Sequence, residues 1–288
     1  MHEAAERGVL FSLLGPVTAV LPNGAVRLGG PRQRAILAAL LLEPGRVVPV
    51  ERIVDAVWGP HAPSTARNQI AAGVCSLRRD FRAAGLGSEL IGTSPPGYVL
   101  QVGADSIDLH QMERWAAEAR TLAGAGRLDE AVTKLRDALA MWQGRPLVDI
   151  EGRLAHVVER IEERRVALTE ECLGLELRLG RARAVIPELQ ILVQRHPFRE
   201  QLRACLMVAL TYCGRTADAL TVFRDGRRLL VEELGVEPGP QLREMHDRIL
   251  QGDEVAIPMR EGGPCPEWPP LPPSCRQATM RSSVALRN

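Results

Sequence analysis

Lysine is nearly missing from this 288-residue chain: of its 36 basic residues only Lys134 is a lysine, and the rest are arginines. A phosphate-binding G-x-x-x-x-G-K-[ST] loop is thereby excluded, because Lys134 falls in the middle of a helical pattern. The arginine bias, with many Ala, Gly and Pro, points to a bacterial genome of high GC content. Aromatic residues make up 3%. Trp58, Trp115 and Trp142 fall at helical periods and are read as core residues rather than stacking platforms. No apolar run reaches ~18 residues, which excludes a membrane-spanning helix. The start, Met1 to Glu6, is polar and mildly acidic, unlike a signal peptide, so a cytoplasmic location is expected. Cys75, Cys172, Cys205 and Cys213 lie in helix-like segments without C-x-x-C spacing and are read as small buried or half-buried residues. Cys265 and Cys275 have no nearby histidine, and none of the six histidines has a partner at metal-ligand spacing. H-E-x-x-H and G-x-S-x-G are absent too, so no metal, no cofactor and no enzymatic activity are expected. A net charge of +1 leaves no general basic field, and any nucleic-acid contact must come from a local patch.

At 45% hydrophobic and 25% charged residues the composition is that of a globular protein, and the length suits two domains. Residues 9–20 are apolar and β-prone, Pro22-Asn23-Gly24 supplies a turn, and Ala25 to Leu28 resumes, which predicts an N-terminal antiparallel sheet. From Pro31 the period becomes helical until Pro44-Gly45 stops it. Val50, Ile53, Val54 and Val57 mark a second helix ended by Trp58-Gly59-Pro60. Ser64 is placed to cap a third helix running to about Ala83. Glu89–Thr93 and Tyr98–Val102 then read as two strands around Ser94-Pro95-Pro96-Gly97. A sheet, three helices and a hairpin make the order of a winged helix-turn-helix. Beyond Asp105 the pattern is helical almost throughout. Three segments begin with Gly-Arg, at 126, 180 and 214, and continue in a rich helical pattern; the last two are 34 residues apart, the period of tetratricopeptide helix pairs. The expected fold is therefore mainly α: a winged-helix domain over 1–105, a tetratricopeptide-like domain over 106–252, and a Pro-rich disordered tail over 253–288.

The third helix carries the chemistry. Ala66, Ile70, Gly73, Val74, Leu77 and Phe81 collect on one face at 100° per residue. Opposite them lie Asn68, Ala72, Cys75 and Arg79, with Thr65 and Ser76 on one flank. Four arginines (67, 78, 79 and 82) against Asp80 give residues 64–83 a net charge of +3. Such a face fits a DNA major groove: Asn pairs with adenine, Arg with guanine, and small residues allow close approach. Marginal arginines would hold phosphates. The candidate DNA-binding residues are Arg32, Arg34, Thr65, Arg67, Asn68, Ala72, Ser76, Arg78, Arg79 and Tyr98. Segment 94–98 reads either as a wing on DNA or as a structural turn with Tyr98 packed on the third helix.

The stretches LLGPVTAV, NGAVRLGGPRQRAILAALLL, VERIVDAVWGPHAPSTARNQIAAGVCSLRR and GTSPPGYVLQV resemble the Streptomyces antibiotic regulatory protein family. LRDALAMWQGRPLVDI, HPFREQLRACLMVAL, GRTADAL and LVEELGVEPGPQLREMHDRIL continue the resemblance through residue 252. It implies an OmpR-type winged helix followed by a bacterial transcriptional activation domain. It further implies an activator of secondary-metabolite genes that binds double-stranded DNA at direct repeats, as a dimer or tandem protomers, and recruits RNA polymerase holoenzyme. His61, in the loop between helices two and three, is the polymerase-contact candidate that the resemblance implies. The wing departs from the family in having Val99 where a basic residue is frequent. Larger relatives add a nucleotide-binding domain, and none is expected here. An adaptor using the helical repeats alone, or a repressor, are the rival readings; sequence-selective DNA binding separates the adaptor from the others.

Overall fold

The computed structural model describes residues 10–150 and 152–253. The expected tail lies outside them, except for Asp253. The described residues form two compact units. The first runs to Arg114 and includes Ala140–Arg164; the second comprises Trp115–Leu139 and the residues from Arg165 onward.

In the first unit, β1 (Leu10–Ser12), β2 (Thr18–Leu21) and β3 (Gly24–Ala25) form an antiparallel sheet in that order. The apolar run 9–20 is thus two strands, because the chain bends at Gly15-Pro16, where proline offers no N–H for a ladder. Leu21 pairs with Gly24, so Pro22-Asn23 closes the hairpin. Helix α1 (Pro31–Leu41) begins with proline at its first position and is buried from Ala35 to Leu41. It packs against α2 (Val50–Trp58) and α3 (Ala66–Ala83). Gly73 permits the α1–α3 approach: a Cβ there would stand 2.4 Å from Ile36 Cδ1.

A second sheet has the order β4 (Val47–Pro49), β6 (Gly97–Leu100), β5 (Ile91–Ser94). Strand β4 is too short to show a period in the sequence. The hairpin strands are shorter than expected because Ser88–Leu90 forms a 3-10 turn. A Cβ on Gly97 would stand 1.8 Å from the Val48 carbonyl oxygen, so glycine alone lets β6 lie along β4. The cap of α3 also differs from expectation. Thr65, not Ser64, precedes the helix, and no side chain caps it. Instead Thr65 Oγ1 accepts a hydrogen bond from Gln69 Nε2 at 2.8 Å.

The remaining helices are α4 (Asp108–Gly124), α5 (Leu128–Ala140), α6 (Ala155–Arg178), α7 (Ala182–Arg195), α8 (Glu200–Tyr212), α9 (Thr216–Leu234) and α10 (Pro240–Gln251). The Gly-Arg pairs at 126, 180 and 214 each end a helix in the same way. Gly126, Gly180 and Gly214 take φ of 77°, 74° and 74°. The next arginine's N–H then reaches back five residues: Arg127 to Leu122, Arg181 to Glu176 and Arg215 to Leu210. That is the Schellman closure, which satisfies a carbonyl the helix leaves free. Leu189, Leu202, Met207, Phe223 and Leu242 belong to the core of this unit. Cys172 and Cys205 are buried, and burial pushes both thiols up to about 12. Cys75 departs from expectation, being exposed on α3. Trp142 is buried, but Trp58 and Trp115 are only half-buried, each beneath a cation: Arg32 at 5.3 Å and Lys134 at 5.4 Å from the ring centroids.

Candidate nucleic-acid interface

The inward stripe of α3 is Ala66, Ile70, Val74, Leu77 and Phe81, all buried, with the Phe81 ring edge-on to Phe11 at 6.1 Å. This anchoring fixes the rotation of the helix. Asn68, Ala72, Cys75 and Arg79 are consequently exposed along one face. Arg79 is 76% exposed, and its guanidinium donates to Ser76 Oγ at 2.9 Å, so the two side chains share the surface. Arg67 is also exposed and is paired with Glu51 of α2. An exposed pair of this kind is weak and leaves the guanidinium available to a phosphate.

Arg78 has a different position from Arg79. Its Nε donates to the Ile91 carbonyl at 2.9 Å and a terminal nitrogen donates to Thr93 Oγ1 at 2.7 Å. The guanidinium also lies 5.9 Å from the Tyr98 ring centroid. Arg78 and Tyr98 together attach the β5–β6 hairpin to α3, and Tyr98 is half-buried.

Arg32 and Arg34 diverge as well. Arg32, exposed at the start of α1, donates to Gln69 Oε1 at 2.8 Å and covers Trp58. Gln69 links Arg32 to Thr65, a role that the i, i+4 spacing from Thr65 could have signalled. Arg34 points into the first unit, where it forms an ion pair with Asp149 at 2.8 Å. The structure therefore brings Thr65, Arg67, Asn68, Ala72, Ser76 and Arg79 together on one surface and engages Arg34 elsewhere. His61 is exposed at the end of the 3-10 turn Gly59–His61, between α2 and α3. A cleft of about 410 Å³ beside this surface is lined by Arg32, Gln33, Gln69, Gly73 and Arg153, among others. Among the described residues no cluster of His, Cys, Asp or Glu could hold a metal ion.

Residues 25–100 match the family model described as transcriptional regulatory protein, C terminal, and residues 107–250 match the bacterial transcriptional activator domain. The chain is 35% identical over 251 residues to the regulatory protein DnrI of Streptomyces peucetius, covering 84% of this chain and 92% of DnrI. The chain belongs to the Streptomyces antibiotic regulatory protein family. It is likewise 40% identical over 272 residues to the regulatory protein AfsR of Streptomyces griseus, spanning 94% of this chain but 27% of that longer relative. Among solved structures, Mycobacterium tuberculosis EmbR in complex with a low-affinity phosphopeptide superimposes with a TM-score of 0.83 at 30% identity. That likeness covers 97% of this chain and 72% of EmbR. A member of this family is a DNA-binding transcriptional regulator and not an enzyme, which agrees with the winged helix and the helical repeats. No described helix is long and apolar enough to cross a membrane.

Proposed function

We propose that the chain is a cytoplasmic activator that binds direct repeats upstream of promoters, with α3 in the major groove, and recruits RNA polymerase holoenzyme. The observation that carries this reading is the exposed face of α3. Asn68 and Arg79 stand on one side of a helix whose opposite side is wholly buried, and Ala72 between them lets the backbone approach the base edges. Arg67 and Arg32 flank that face and would hold phosphates; Arg78 and Tyr98 would act through the hairpin they attach. His61, in the exposed turn before α3, and the helices of residues 107–250 would offer surfaces to polymerase. Target genes in secondary metabolism are the extension that DnrI and AfsR suggest.

The test is a gel shift and footprint on promoter DNA with Asn68→Ala and Arg79→Ala. Each variant should keep its fold, lose about 1–3 kcal/mol on specific DNA and relax preference at one base pair. Equal weakening on specific and random DNA would reduce both residues to phosphate contacts. Unchanged binding in both would mean that another face meets the groove.

A further inference from the structure

Between α5 and α6 the segment of residues 141–150 and 152–154 belongs to the same compact unit as the winged helix. Four apolar side chains anchor it there: Trp142, Leu147, Ile150 and Leu154 are all buried. Its backbone joins the turn between β1 and β2, where Gln143 N–H donates to the Leu14 carbonyl at 2.9 Å and Leu147 N–H to that of Gly15 at 2.7 Å. Leu147 and Leu154 also have positive φ, 53° and 57°, and among the described residues no other non-glycine residue does. A branched side chain adopts that conformation only where its surroundings over-determine it. The segment is therefore held as a strap.

The strap carries two polar side chains into the elements that support α3. Asp149 is half-buried; one oxygen accepts from Val17 N–H at 2.9 Å, and the other pairs with Arg34 of α1. The Arg34 guanidinium donates an NH1 hydrogen to this carboxylate at 2.8 Å, so Asp149 supplies the countercharge that holds it against the strap. Arg153 Nε donates to the Val57 carbonyl at 3.1 Å, in the last turn of α2, while its NH1 donates to the Ile150 carbonyl of the strap itself. Arg153 also lines the cleft beside Gln69 and Gly73 of α3. Helices α1 and α2 both pack on α3, so the strap fixes the platform from both sides.

We infer that Asp149 and Arg153 are positioning residues for DNA recognition: through Arg34 and Val57 they set α1 and α2 so that α3 presents its face at a fixed angle. The inference rests on α3 being the reading helix, and it assigns Arg34 to the strap instead of to a phosphate.

The experiment is a double-mutant cycle in the full chain with Arg34→Ala, Asp149→Asn and both together, read by gel shift on specific and random DNA. Asp149→Asn keeps an oxygen for Val17 N–H and removes the charge. Each single variant should lose about tenfold on specific DNA, and the double variant should lose no more than either single one. Titration to stoichiometry separates positioning from misfolding. A positioning defect leaves one active site per chain and lowers the ratio of specific to random binding, whereas partial unfolding lowers the active fraction and leaves that ratio alone. If Asp149→Asn binds as wild type or more tightly while Arg34→Ala binds weakly, Arg34 is a DNA contact and the inference is overturned. Should Asp149→Asn fail to fold, Arg153→Ala replaces it, with the same loss of ratio expected and an unchanged ratio counting against the strap. Wild-type protein that fails to discriminate specific from random DNA would overturn the reading of α3 itself, an outcome distinct from all of these.

Discussion

Asp108 shows how one side chain sets the start of the fold. Its carboxylate accepts from Ser12 Oγ at 2.5 Å, Leu13 N–H at 2.8 Å and Leu14 N–H at 3.1 Å, holding the chain just after β1 to the first turn of α4. Burial holds the carboxyl above its ordinary value of 3.8, outweighing these bonds, which pull it down. A carboxyl whose folded pKa is raised favours folding while protonated; its contribution is complete below about 3.8 and declines as pH rises through the raised value. The stability advantage of wild type over Asp108→Asn should therefore shrink as pH rises above about 3.8, measured by urea unfolding at each pH. An advantage that grows with pH would mean that the hydrogen bonds, not burial, dominate this carboxyl. The other informative contrast at this scale is between neighbours: Arg78 is engaged with the hairpin and Arg79 extends from α3, although both are arginines in one run. Composition and period could place both on the polar side of α3, but only the position of Ile91 and Thr93 decides which one turns back.

The elements were largely legible in the sequence because their signals are local. Pro31, Pro44-Gly45 and the stripe from Ala66 to Phe81 mark where α1 and α3 lie within a residue or two. The Gly-Arg pairs at 126, 180 and 214 mark helix ends for a physical reason, since glycine adopts positive φ without a Cβ clash. Gly214→Ala should thus destabilise the protein by about 1–2 kcal/mol in denaturant unfolding, because alanine must take the φ of 74°. Gly124→Ala is the control: Gly124 ends α4 without positive φ, and a Cβ there meets open space, so it should be neutral or slightly stabilising. Equal losses in both would remove the left-handed cap as the cause. What the sequence hid are contacts across long separations. The partner of Arg34 is 115 residues away, and nothing near Asp149 announces it. The 54-residue interval between Gly126-Arg127 and Gly180-Arg181 breaks the repeat because the strap and the 24-residue α6 lie within it. Read locally, that break is an irregularity; in the structure it is the segment that closes the first unit.

At the scale of the whole molecule, a net charge of +1 makes contact with DNA a matter of local charge. Residues 64–83 concentrate a local net charge of +3 on α3, and one helix in one groove reads too few base pairs to be selective. Two protomers on the same DNA face provide the missing length if their sites are spaced by about one helical turn, ~10–11 base pairs. A head-to-tail arrangement requires a direct repeat, since each protomer then repeats the previous one by translation and rotation along the axis. Inserting five base pairs between the repeats would turn one protomer to the opposite face and should abolish cooperative binding. Inserting a full turn should restore part of it, to the extent that neighbouring protomers still touch. If the arginines on and beside α3 displace phosphate counterions, affinity should also fall steeply between about 50 and 200 mM salt. A gel shift across spacings and orientations measures all of this at once. Tight binding to an inverted repeat, without preference for the direct one, would place the protomers about a two-fold axis and rule out the head-to-tail array.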